Sequence, residues 1–178
     1  MDPIGQEFLD AVEARFQQWK VTVEKAIAPL NKDQLHWRPD PESNSIAVLV
    51  RHLSGNMVSR WRDFLTTDGE KPDRDRDAEF EVGPDTPREE LMRRWEEGWA
   101  LLRAELARLT PDDLLKTTYV RSRPHSVLDA ILRQLAHLAT HAGLIVYVAK
   151  HVQGPAWRTL SIERGKSREF NESLGHHT

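Results

Sequence analysis

Apolar residues return every three or four positions in four separate stretches of this chain, a spacing that dictates amphipathic helices burying one face each. The first stretch carries Phe8, Val12, Phe16, Trp19, Val23 and Ile27, and Pro29 discourages its continuation. The second runs from about Ser45 to Leu65, with Ile46, Leu49, Leu53, Met57, Trp61 and Phe64 or Leu65 as its stripe and Ser and Asn at positions 43–45 as its cap. Thr86-Pro87-Arg88-Glu89 reads as a capping box with proline in the first turn, and Leu91, Trp95, Trp99 or Leu102, and Leu106 follow it. A second box, Ser126-Val127-Leu128-Asp129, opens a helix running through Ile131, Leu135, Leu138, Ala142, Ile145 and Val148 to about Lys150. This last helix is apolar on more than one side, so it is expected to be the most buried.

The connections differ in kind. Leu30 to Leu35 and Leu109 to Leu114 each read as a cap followed by a short helical turn, which suggests two similar helix pairs, with chance similarity as the equal alternative. Thr66 to Asp85 is dense in Asp, Arg, Glu, Gly and Pro and reads as a solvated connection, although loops of that length often carry function or move. Thr117 to Val120 is β-prone but too short to make a sheet alone. About 171–178 reads as a flexible tail. The expected fold is therefore all-α: one domain over 1–178, a four-helix bundle with long connections between some helices.

Composition removes several functions. The 178-residue chain has no cysteine, so disulfides, Cys-ligated zinc and a cysteine nucleophile are excluded, and any thiol must arrive with a ligand. A net charge of −3 without a basic block argues against nucleic acid, and Trp95 and Trp99 read as core or a dimer face rather than a stacking platform. Gly165-Lys166-Ser167 resembles the end of a P-loop, but Leu160 stands where the motif needs its first glycine. The first residues lack the apolar core of a signal peptide, and the apolar run around Ala142 to Ala149 is far short of the ~20 residues that span a bilayer. A cytoplasmic protein without membrane partners is expected.

Of eight histidines, three stand on helix interiors in a suggestive relation. His137 and His141 are four residues apart and share a helix face, so their imidazoles can converge on one ion; His52, between Leu49 and Leu53, points inward from another helix. Three buried imidazoles without a metal would leave ring nitrogens to satisfy, which is costly. Small or polar residues beside them, Ser54, Gly55, Asn56 and Ser59 on one side and Ala136, Ala139, Thr140, Ala142 and Gly143 on the other, either leave room for a cavity or let helices approach. Asn56, one turn after His52, and Gln134, nearly one turn before His137, are the candidate pocket hydrogen-bonders, with ordinary surface polarity as the alternative.

Several motifs, in order, resemble the DinB-like superfamily of metal-binding bundles, which includes bacillithiol transferases and mycothiol-dependent enzymes. They are Leu35-His36-Trp37-Arg38-Pro39, Asn44-Ser45-Ile46, Val50-Arg51-His52-Leu53-Ser54-Gly55-Asn56, Ser126-Val127-Leu128 and His137-Leu138-Ala139-Thr140-His141-Ala142-Gly143. Asp63 to Lys71 and Arg164-Gly165-Lys166-Ser167 resemble an uncharacterised branch of that superfamily. The resemblance implies a four-helix bundle, a homodimer, and a divalent metal on His52, His137 and His141. Imidazole ligation suits zinc or nickel first, with iron or copper as alternatives.

Such a centre acidifies bound water or binds a thiol as thiolate. The superfamily points to the second: a small-molecule thiol co-substrate attacking an electrophile. A metal-dependent hydrolase and a non-catalytic metal- or ligand-binding stress protein are the alternatives. A zincin-type protease is disfavoured because Leu138 stands where its glutamate base would be. Arg121, Arg123 and Arg133 are candidates for attracting an anionic thiol or substrate.

Overall fold

Each long helix starts where a short polar side chain can accept a backbone N–H left unpaired by the first turn. In the computed structural model, which describes residues 2–175, Asp2 accepts from the Ile4 amide at 3.0 Å and opens α1 (Pro3–Ile27). Asn31 and Gln34 complete a reciprocal box at the head of α2 (Lys32–His36), at 2.9 and 3.0 Å. Ser45 caps α3 (Ile46–Trp61) by accepting from Val48. That helix stops short of the expected Leu65, because Arg62 turns extended and Asp63 takes a positive φ of 52°.

The expected box at Thr86 does not form. Pro87 itself sits at the cap of α4 (Arg88–Leu106) without a side-chain cap, and Arg88 instead donates to the carbonyls of Ile27 and Leu30 at 3.1 and 2.8 Å, tying this helix start to the end of α1. Ser126 caps α5 (Val127–Gln153), but Asp129 leaves its half of the box unmade and accepts from His125 Nδ1 at 2.6 Å.

The four long helices close a ring in which α1 packs on α5 and α3 on α4, with α3 against α5 and α1 against α4 completing it. Val12, Phe16, Val23 and Ile27 face inward as their spacing predicts, while Phe8 and Trp19 sit half-buried at the stripe's edges and Leu9 enters the core. Trp95 and Trp99 are fully buried and meet each other edge-on, with Trp99 also edge-on to Phe16, so they form neither a dimer face nor a stacking platform. Among the described residues no helix is long and apolar enough to cross a membrane.

Two connections depart from expectation. Thr117–Val120 (β1) pairs antiparallel with Arg123–Ser126 (β2) in a two-residue hairpin. Its turn residues Arg121 and Ser122 both have positive φ, 54° and 59°, and the Asp68 carboxylate accepts their amides at 2.9 and 2.6 Å. The strand partner is hidden in the sequence because Pro124 and three polar neighbours read as loop. Near the C-terminus, Ser167–Ser173 forms a short exposed helix (α6), so the expected tail is helical at its beginning; residues 176–178 lie outside the described region.

The turn after α4 gives a stability test. Asp113 accepts from Lys116 at 2.7 Å and from both the amide and hydroxyl of Thr110 at 2.8 Å, and these bonds hold its pKa down at about 2. A carboxylate with a depressed folded-state pKa stabilises above its ordinary value and loses that contribution as pH falls through the folded one. Asp113→Ala should therefore cost about 1–2 kcal/mol in urea denaturation near neutrality. The gap to the parent should close as pH drops from 3.8 towards about 2.

Candidate metal centre

Helix periodicity carries His52 on α3 and His137 and His141 on α5 to one point between the two helices. One ligand atom from each ring falls within 4.8 Å of the others, so the three histidines can hold a metal ion. The rings meet edge-on, at 73° to 76°, with centroids 4.5 to 5.2 Å apart. His52 Nε2 and His137 Nε2 are 3.2 Å apart. Two nitrogens bound 2.0–2.1 Å from a tetrahedral ion would be about 3.3 Å apart, so the spacing fits a shared cation.

Proton positions point the same way. His52 Nδ1 lies 2.8 Å from Glu79 Oε2. Arg74 grips the same carboxylate with two bonds, Nε to Oε1 at 2.7 Å and Nη2 to Oε2 at 2.9 Å. Burial is the largest single influence on Glu79 and pushes its pKa up, but the bonds from His52 and Arg74 and the charge of Arg74 outweigh it, and the carboxyl falls below its ordinary range. An ionised carboxylate only accepts, so His52 donates Nδ1–H to Glu79, which leaves Nε2 as the ring nitrogen that faces His137. Desolvation, with the neighbouring histidines, pushes His137 down to about 3; desolvation and then His52 push His141 down. Both stay neutral, lone-pair donors near pH 7. The Nδ1 atoms of His137 and His141 have no hydrogen-bond partner among the described residues. Phe80 closes the far side of His52, ring centroids 4.8 Å apart.

The cluster opens on a cavity of about 260 Å³, with His52 and His137 in its wall. Asn56 and Gln134 line that cavity too, each at least nine-tenths buried. Arg121 and Arg133 line it, whereas Arg123 stands exposed on β2 and does not.

The residues that sequence reasoning missed are Glu79 and Arg74. Both belong to Thr66–Asp85, which reads as solvated; in the structure Lys71 and Glu79 are buried and the segment is a wall of the site. Two signals were present. Ala78, Phe80 and Val82 interrupt an otherwise charged stretch, and Gly55 stands three residues after His52, on the same face. A Cβ on Gly55 would collide with the Glu79 carboxyl, reaching its Cδ at 2.8 Å. Gly55 and Ser59 therefore dock this loop: Ser59 donates to the Gly69 carbonyl at 2.7 Å and accepts the Lys71 amide at 3.1 Å, whereas Ser54 bonds back to the Val50 carbonyl of its own helix.

No curated protein matches the chain. Residues 3–166 match the family described as Protein of unknown function (DUF1572), a span that takes in the three histidines, Glu79 and every long helix. The chain belongs to the DUF1572 family.

Proposed function

We propose that this protein is a metal-dependent enzyme of the DinB-like superfamily that transfers a small-molecule thiol to an electrophile. One divalent ion, zinc or nickel foremost, is held by His52, His137 and His141. The observation that carries this reading is the wall of the cavity beside the histidines. Among its lining residues there is no carboxylate to deprotonate a water, and the nearby Glu79 is committed to His52 and Arg74. The chain has no cysteine to act as nucleophile itself. A chemistry that needs a metal but no protein base suits this wall.

A cation held there supplies a Lewis acid that lowers the pKa of a ligating thiol towards neutrality. Glu79 keeps the proton on His52 Nδ1, so that Nε2 stays available. Gln134 and Asn56 present amide groups to whatever enters, and Phe80 shields the back of His52 from water. In the reaction a sulfur–carbon bond forms, the electrophile's leaving group departs with the bonding pair, and the thiol proton passes to solvent.

Two measurements test this. Elemental analysis should find one divalent metal per chain. Metal-loaded protein given a panel of thiols and 1-chloro-2,4-dinitrobenzene should release chloride and form the thioether at a rate that rises with thiol and vanishes in His52→Ala. Conjugation that persists in His52→Ala would overturn the proposal, as would ester hydrolysis proceeding without any thiol.

A further inference from the structure

The cavity beside the histidines is lined by five guanidinium groups, from Arg60, Arg74, Arg76, Arg121 and Arg133. Among the described residues only Glu70 and Glu79 pair with them: Glu70 meets Arg60 and Arg121 at 3.1 Å and Arg74 at 3.4 Å, and Glu79 takes Arg74. Asp68 stands close by, but its oxygens are given to the amides of Glu70, Arg121 and Ser122. Even with Asp68 counted, two of the five cations have no counter-charge. Arg76 and Arg133 have no carboxylate partner among the described residues; Arg76 lies over the Phe80 ring at 5.0 Å.

A second observation is independent of charge. Besides His137 Nδ1, four buried polar atoms on residues of this wall have no hydrogen-bond partner among the described residues: Arg60 Nη1, Trp61 Nε1, Gln134 Nε2 and Asn56 Oδ1. Asn56, Trp61 and Gln134 are each at least nine-tenths buried. Buried polar groups are rarely left unpaired, and three of these four are donors. Donors without acceptors, in a wall with surplus positive charge, describe a site for oxyanions. The cavity of about 260 Å³ admits a small molecule and not a polymer.

We infer that the compound binding beside the histidines carries a carboxylate or phosphate, seated against Arg133 and Arg60 with Gln134 and Trp61 donating to it. The inference deepens the thiol-transfer reading by naming the charge class of its substrate, yet the anion site stands on residues other than the metal ligands.

Calorimetric titration of zinc-loaded protein with mercaptosuccinate, 2-mercaptoethanol and succinate tests it. Mercaptosuccinate should bind about tenfold more tightly than 2-mercaptoethanol, the worth of one charge-assisted contact. Succinate should bind with or without zinc, and weaken as sodium chloride is raised. Arg133→Gln, at an exposed position where folding is not at stake, should weaken mercaptosuccinate and succinate about tenfold and leave 2-mercaptoethanol unchanged. If succinate binds and responds to Arg133→Gln while neither thiol binds better than succinate, the anion site stands and thiol transfer falls. If both thiols bind equally and succinate does not bind, thiol transfer stands and the anion site is overturned. Indifference of succinate binding to Arg133→Gln overturns it as well.

Discussion

His137→Ala should bind zinc or nickel roughly a hundredfold to a thousandfold more weakly than the parent, one ligand's share of a total of about 10–16 kcal/mol, while its metal-free form keeps its melting temperature. Both halves follow from the same burial. His137 gives Nε2 to the cluster, 3.2 Å from that of His52, so its loss leaves two imidazoles and an incomplete grip. Without metal, however, the ring is desolvated, its pKa is pushed down to about 3, and its Nδ1 has no partner. Removing it takes away an unpaired polar atom along with some packing, and the two effects oppose each other. A ligand at a thousand times its Kd stabilises the folded state by about 4.1 kcal/mol. In a domain of this size that corresponds to a melting shift on the order of 10 °C. The parent should show that shift with metal, measured by differential scanning calorimetry, and His137→Ala should not. A parent indifferent to every divalent cation, or a variant that binds as the parent does, would remove the metal from the account.

Glu79→Gln is expected to fail differently, losing stability with or without metal. Arg74 and Glu79 are an ion pair with side chains 5% and 8% exposed, and breaking such a pair from one side leaves a buried charge uncompensated. Arg74 retains a contact with Glu70 at 3.4 Å, so the cost should fall at the lower end of the usual span, about 3 kcal/mol. The amide also no longer dictates which nitrogen of His52 carries the proton, and metal affinity should drop about 10- to 100-fold. Gly55→Ala offers an orthogonal check: the new methyl displaces the same carboxyl without altering any charged residue, so it should weaken metal binding in the same direction. If Glu79→Gln melts like the parent and binds metal as well, the carboxylate is a bystander.

The histidines were legible in the sequence because helical periodicity fixes direction. Once Leu49, Leu53 and Met57 define one buried face and Leu138, Ala142 and Ile145 another, His52, His137 and His141 have little freedom in where they point. Asn56 and Gln134 were legible by the same counting of turns. Glu79 and Arg74 were not, because a charge is buried only through a partner elsewhere in the fold, and local composition records the charge without the partner. The hairpin was hidden similarly: Arg121 and Ser122 take the positive φ that a two-residue turn demands, and Asp68, some fifty residues away in the chain, supports them by accepting their amides. The Thr86 box failed for a tertiary reason, since Arg88 docks this helix start on the end of α1 without it.

The clasp of Asp68 on the hairpin turn fixes one end of the segment that delivers Glu79, and the bond to His52 fixes the other. Eleven positions separate these anchors, and the turns between them are fixed by their own bonds, the Arg74 amide to the Lys71 carbonyl and the Ala78 amide to Asp75, which an insertion or deletion would break. Between them, exposed Pro72 and Asp77 make no side-chain bond among the described residues and are free to drift in identity, whereas Asp73 pairs with Arg62, Asp75 accepts the Ala78 amide and Arg76 lines the cavity. Relatives that share this centre should therefore differ at those exposed letters and hardly at all in the count of this stretch, a signature unlike that of a linker.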